Sequence, residues 1–69
     1  MSGAELKSRR EALSMKVYEL ATEFGVPPSS VYRWESGRVP LHGLTAIGAD
    51  TVLRRLERRR PPAHDAGGE

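Results

Sequence analysis

The sequence predicts an all-α fold, a bundle of about five short helices. Three observations carry that reading. Val17, Leu20, Ala21 and Phe24 fall at i, i+3, i+4 and i+7, the stripe of an amphipathic helix, and helical spacing resumes in Val31 and Trp34 and again in Val52, Leu53 and Leu56. Glycine or paired proline punctuates the chain between and after these stripes, at Gly25, Pro27 and Pro28, Gly37, and Pro61 and Pro62. The stretch after Pro40, LHGLTAIGADTVLRRLERR, is helical in pattern and lacks the alternating β-branched runs that mark strands.

Composition limits what such a bundle can do. At 69 residues the chain makes one small domain, near the lower size at which apolar burial alone sustains a fold. The absence of cysteine excludes a disulfide framework and a thiolate metal site. His42 and His64 are too few and too far apart for a ligand cluster, so neither a metal nor a cofactor is expected. MSGAELKSRR lacks the apolar core of a signal peptide, and no apolar run approaches the roughly 20 residues that span a bilayer. A cytoplasmic protein without a membrane partner is expected. No nucleophile with a base and no carboxylate pair can be assembled, which argues against an enzyme. The net charge is +2, but Asp65 and Glu69 lie at the end; residues 1–60 carry 11 basic against 7 acidic groups, or +4. Arginine supplies nearly all of the excess, a sign asymmetry of the kind nucleic-acid binders show.

Residues 1–4 have no periodicity and read as a flexible arm, with the domain at 5–60 and a disordered tail at 61–69. The first helix is expected near Glu5. Leu6, Arg10 and Leu13 at i, i+4 and i+7 place Arg10 on the buried stripe, where its guanidinium needs a carboxylate or must reach water along its methylenes. Ser14 and Met15 link to a second helix that starts at Lys16, with Ser14 available as a cap one residue early. That helix stops at Phe24, because Gly25 can take the positive φ of a helix end.

Pro28 suits the first position of a third helix, since its missing N–H would have no partner there. Ala21 is small where the second and third helices would cross, and Val31 and Trp34 face inward. At about 100° per residue Ser29, Tyr32, Arg33 and Ser36 cluster opposite them, a polar face able to touch a nucleic-acid groove. The two helices form a helix-turn-helix. Gly37 closes the third helix, and Arg38 just beyond is a candidate phosphate contact. Leu41, Leu44 and Ile47 suggest a short fourth helix that Gly48 ends. Asp50 then caps a fifth, which carries Val52, Leu53 and Leu56 on one face. Its Arg54, Arg55, Arg58 and Arg59 complement the helix dipole or contact DNA.

Ala21, Gly25 and Val31 at i, i+4 and i+10, with RREAL at Arg9 to Leu13 and WESG at Trp34 to Gly37, resemble the Cro and phage-repressor (XRE-type) helix-turn-helix family over Leu6 to Pro40. The resemblance implies a small lambda-repressor-like bundle and an ion pair between Arg10 and Glu35. It also implies base contacts from the third helix, here Ser29, Arg33, Tyr32 and Pro28, and phosphate contacts from Lys16, Val17, Ser36 and Arg38. Two departures alter the detail. Lys16 and Val17 stand where family members often carry a hydroxyl cap and a glutamine, leaving backbone N–H groups and the Lys16 charge for a phosphate. Pro28 replaces a long polar base reader, which shifts reading to Ser29, Arg33 and Tyr32. Tyr32 has two readings, a groove contact or an exposed ring packed beside its neighbours.

The function this implies is a sequence-specific double-stranded DNA-binding transcriptional regulator, a small Cro-like repressor that occupies its operator as a homodimer in the nucleoid. Two alternatives remain beside it: an antitoxin-like interaction module, with Leu53 and Leu56 available for its interface and DNA affinity secondary, and an excisionase-like winged helix. The second needs a two-stranded wing after Pro40, which the helical pattern there opposes.

Overall fold

The structure, a computed structural model, describes residues 1–59. The expected tail 61–69 and Arg60, the last residue of the expected domain, lie outside the described residues. Four helices follow one another: α1 (Gly3–Ala12), α2 (Val17–Phe24), α3 (Pro28–Ser36) and α4 (Gly43–Arg59). The described elements are all helical, and the stretch a wing would require is α4.

Helix α1 starts two residues earlier than the periodicity suggested. The Ser2 hydroxyl accepts the Glu5 N–H at 3.0 Å and caps α1, so Gly3 and Ala4 are helical and not part of an arm. Gly3 lies directly against the end of α3. A Cβ there would overlap the carbonyl oxygen of Trp34 and come within 2.9 Å of that of Glu35, so this close approach requires glycine. Leu6 is fully buried one turn further on. After α1 the backbone reverses at Ser14, which takes φ 58°; Ser14 therefore ends α1 and does not cap α2. Lys16 occupies the cap position of α2, and the Glu19 carboxylate folds back to accept its N–H at 2.7 Å.

The two fused helices are the main departure from the sequence reading. Residues 43–59 form one helix of 17 residues, with Gly48 in its interior and Asp50 two turns inside its start, where it caps nothing. Ala49, Leu53 and Leu56, at i, i+4 and i+7, are buried and fix the rotation of this helix. That phase turns Leu44 and Ile47 to the opposite face, where they are 87% and 63% exposed. Leu41, before the helix, is buried as its own anchor. The core runs between these elements. Leu6 of α1, Leu20 and Ala21 of α2, Val31 of α3, and Leu53 and Leu56 of α4 meet in it.

Ion pairs fasten α1 to both neighbours. Arg9 donates to both Glu57 oxygens at 2.9 and 3.0 Å and to Asp50 at 2.7 Å. Asp50 and Glu57 are seven residues apart, so they share one flank of α4 and form a two-carboxylate clamp. The Glu57 bond is the largest influence raising the Arg9 pKa, against desolvation, and Arg9 in turn holds both carboxyl groups below their ordinary range. On the adjacent position Arg10 faces the other way, towards α3.

Candidate nucleic-acid interface

The geometry of the α2–turn–α3 unit follows from residues with restricted or permissive backbones. Gly25 takes φ 75°, its N–H reaches the carbonyls of Ala21 and Thr22, and the Val26 N–H reaches Ala21 at 3.0 Å. This double closure ends α2 in a left-handed residue. Pro27 at φ −65° and ψ 149° leads into Pro28, the first residue of α3. Ala21 of α2 and Val31 of α3 are both buried in the shared core. Phe24 and Trp34 sit at the edge of the contact, their rings edge-on with centroids 6.3 Å apart.

The packing orients the opposite face of α3 outward. Ser29, Tyr32, Arg33 and Ser36 are all exposed and, with Arg38, line one shallow depression. Arg38 is held there by the backbone: Gly37, at φ 82°, donates to Trp34, and the Val39 N–H returns to the Arg33 carbonyl at 3.3 Å. Ser36 donates its hydroxyl to the same carbonyl at 3.1 Å, leaving its lone pairs free. Pro28 is exposed at the start of the helix.

Tyr32 and Ser36 also border a second depression lined by Lys7, Arg10, Val17 and Glu35. Here Arg10 Nε and Nη2 donate to the two oxygens of Glu35 at 2.7 and 3.1 Å, and Nη1 donates to the Met15 carbonyl at 2.9 Å. Only 11% and 8% of the two side chains are exposed. The Glu35 bond is the main reason the Arg10 pKa is raised, outweighing desolvation. At the start of α2, Lys16 is exposed, whereas the Val17 side chain is buried and can offer only its N–H. The N–H groups of Val17 and Tyr18 have no acceptor among the described residues.

Ion pairing separates the cations into two sets. Arg9, Arg10, Arg54 and Arg59 each have a carboxylate partner, whereas Lys7, Lys16, Arg33, Arg38, Arg55 and Arg58 have none among the described residues. Three of the unpaired ones, Lys7, Arg33 and Arg38, border the two linked depressions on and beside α3. The arginines of α4 are thus divided: Arg54 is tied to Asp50 at 2.8 Å and Arg59 to Glu23 at 3.6 Å.

A helix-turn-helix (HTH_3) family model matches residues 6–48, which takes in all of α2 and α3 and most of α1. The chain belongs to the XRE-type helix-turn-helix family. No curated protein and no solved structure matched it in the parallel comparisons. XRE-type helix-turn-helix domains are a DNA-binding regulatory family, and membership supports double-stranded DNA binding by this chain. No helix among the described residues is long and apolar enough to cross a membrane.

Sequence reasoning overlooked three residues here. Glu19 supplies only the returning half of a capping box, and Lys16, which cannot accept an N–H, hides that pattern in the sequence. Arg9 carries no local signal for its clamp, because both partners lie more than 40 residues away. Lys7 stands three residues before Arg10, hence on the same side of α1 as the arginine that faces α3.

Proposed function

We propose that the protein is a small Cro-like transcriptional repressor that recognises an operator by placing α3 in the major groove. The observation that carries this reading is the exposed face of α3, where the unpaired Arg33 and Arg38 stand beside Ser29, Tyr32 and Ser36. A guanidinium not committed to a carboxylate can bond O6 and N7 of guanine, which makes Arg33 the main base reader. Ser29 and Tyr32 add base contacts, and Pro28 offers an apolar edge to a thymine methyl. Lys16, the Val17 N–H, Ser36 and Arg38 contact phosphates. The Arg10–Glu35 pair holds α1 against the reading helix and fixes the register of α3. Repression follows from occupying the site, by a homodimer in the cytoplasm at the nucleoid.

Selection of bound sequences from a random duplex pool tests the proposal. A palindromic consensus with half-site centres about 34 Å apart, one helical turn, is expected for a two-fold dimer. Absence of any enriched sequence, with anisotropy flat at about 50 mM salt where phosphate contacts are strongest, would falsify it. One observation favours a second reading, a protein-interaction module: Leu44 and Ile47 stay exposed on α4, although Leu53 and Leu56, the residues expected to form such an interface, are buried in the core.

A further inference from the structure

We infer that Lys7 extends the DNA interface onto α1 as a sequence-neutral phosphate contact, an inference that rests on the proposed reading of α3. The two depressions beside α3 share Tyr32 and Ser36, so they adjoin in a trough, Arg33 and Arg38 lining one part and Lys7 the other. A duplex seated on α3 presents a sugar-phosphate strand along each side of the groove that the helix enters. Lys7 stands on that border.

The charges around it favour an anion. Of the three cations in α1, Arg9 is committed to Asp50 and Glu57 and Arg10 to Glu35, whereas Lys7 is exposed and pairs with no carboxylate among the described residues. Glu11, one turn along α1, forms no ion pair with it. Glu35 lines the same trough and would repel a phosphate, but Arg10 holds both of its oxygens. The trough therefore carries the Lys7 charge uncompensated. An ammonium on a flexible stem suits a phosphate as a point charge, without the planar fork that selects a guanine edge.

The salt dependence of binding to the selected operator tests this with the full chain. Lys7→Gln is expected to reduce the slope of log K against log salt by about 1.8, the value of two released counterions, one in each half-site of the dimer. Between 50 and 200 mM salt the variant then loses about 12-fold less affinity than wild type. The selected consensus stays the same, and Lys7→Arg restores the slope. Arg55→Gln, an exposed unpaired charge of α4 outside the trough, is expected to change the slope much less. Wild-type binding with an unaltered Lys7→Gln slope overturns the contact while leaving the reading of α3 intact. An equal effect of Arg55→Gln reduces it to bulk charge and also overturns it, as does a changed base preference. Wild-type protein that does not bind DNA overturns both proposals together.

Discussion

Glu35→Ala is expected to cost the fold about 3 kcal/mol, a figure set by what the substitution leaves behind. Arg10 stays in place with two donors emptied, in a site where only 11% of its side chain meets solvent. Stranding one charge of a buried pair costs about 3 to 5 kcal/mol. The residual exposure and the surviving bond to the Met15 carbonyl put this case at the lower end. A domain of this size has roughly 3 to 10 kcal/mol in total, so the loss consumes a large share of it. At about 4 to 8 °C per kcal/mol, the thermal midpoint should fall by about 12 to 24 °C. Arg10→Met combined with Glu35→Leu should recover most of the loss, because apolar replacement of a buried pair is often neutral. Urea unfolding followed by far-ultraviolet circular dichroism, on Arg10→Met, Glu35→Leu and their combination, measures the coupling directly. Losses that add to within about 0.5 kcal/mol would refute the reasoning, since independent sites behave that way.

Two glycine substitutions should move stability in opposite directions, as thermal melts would record. Gly48→Ala, in open space inside α4, should stabilise by about 0.5 to 1 kcal/mol, and an unchanged or lower midpoint counts against a continuous helix there. Gly3→Ala should destabilise despite the same gain in propensity, because its Cβ meets rigid backbone at the end of α3. Asp50 and Glu57 have lowered pKa values in the fold, so their contribution is complete above the unfolded values and is lost as pH falls through the folded ones. Stability should therefore decline below about pH 4.5, and Arg9→Ala should flatten that decline; a variant with the same acid profile would remove Arg9 from the account. Arg33→Ala should relax selection at one base pair per half-site while leaving non-specific affinity largely intact. Uniformly weaker binding with an unchanged consensus would assign Arg33 to a phosphate.

The helix-turn-helix was legible because local chemistry fixes each of its boundaries. Gly25 admits the left-handed end of α2, Pro28 suits the first position of α3, and Gly37 closes it. None of these depends on a distant contact. The last helix was misread because two local signals were weaker than one tertiary preference. Gly48 costs a helix about 1 kcal/mol and Asp50 is a good cap, but Ala49, Leu53 and Leu56 bury a common face against α2 and the core. Continuing one helix through Gly48 delivers that face, and ending the helix there would forfeit the Ala49 contact. Leu44 and Ile47 followed the helical period equally well and still faced outward. Periodicity finds a stripe; it does not say which of two stripes packs.

The same distinction governs the interface. The sequence displays a surplus of arginine, and nothing local separates those that hold the fold from those left to meet a ligand. Arg9 and Arg10 are neighbours of one type, yet one clamps α4 and the other α3. Their partners come from 25 to 48 residues away, so the assignment exists only once the chain is folded. What the fold subtracts is as informative as what it brings together. With Arg9, Arg10, Arg54 and Arg59 neutralised by carboxylates, the positive field that a phosphate would meet is carried by the unpaired cations. Arg33, Arg38 and Lys7 border the trough beside α3 and Lys16 stands at the start of α2. Arg55 and Arg58 are displayed on α4, outside that trough. A reading of net charge alone would weight all eleven basic residues equally. Pairing reduces them to a short list, and it is that list which the salt slopes of the Lys7 and Arg55 variants interrogate.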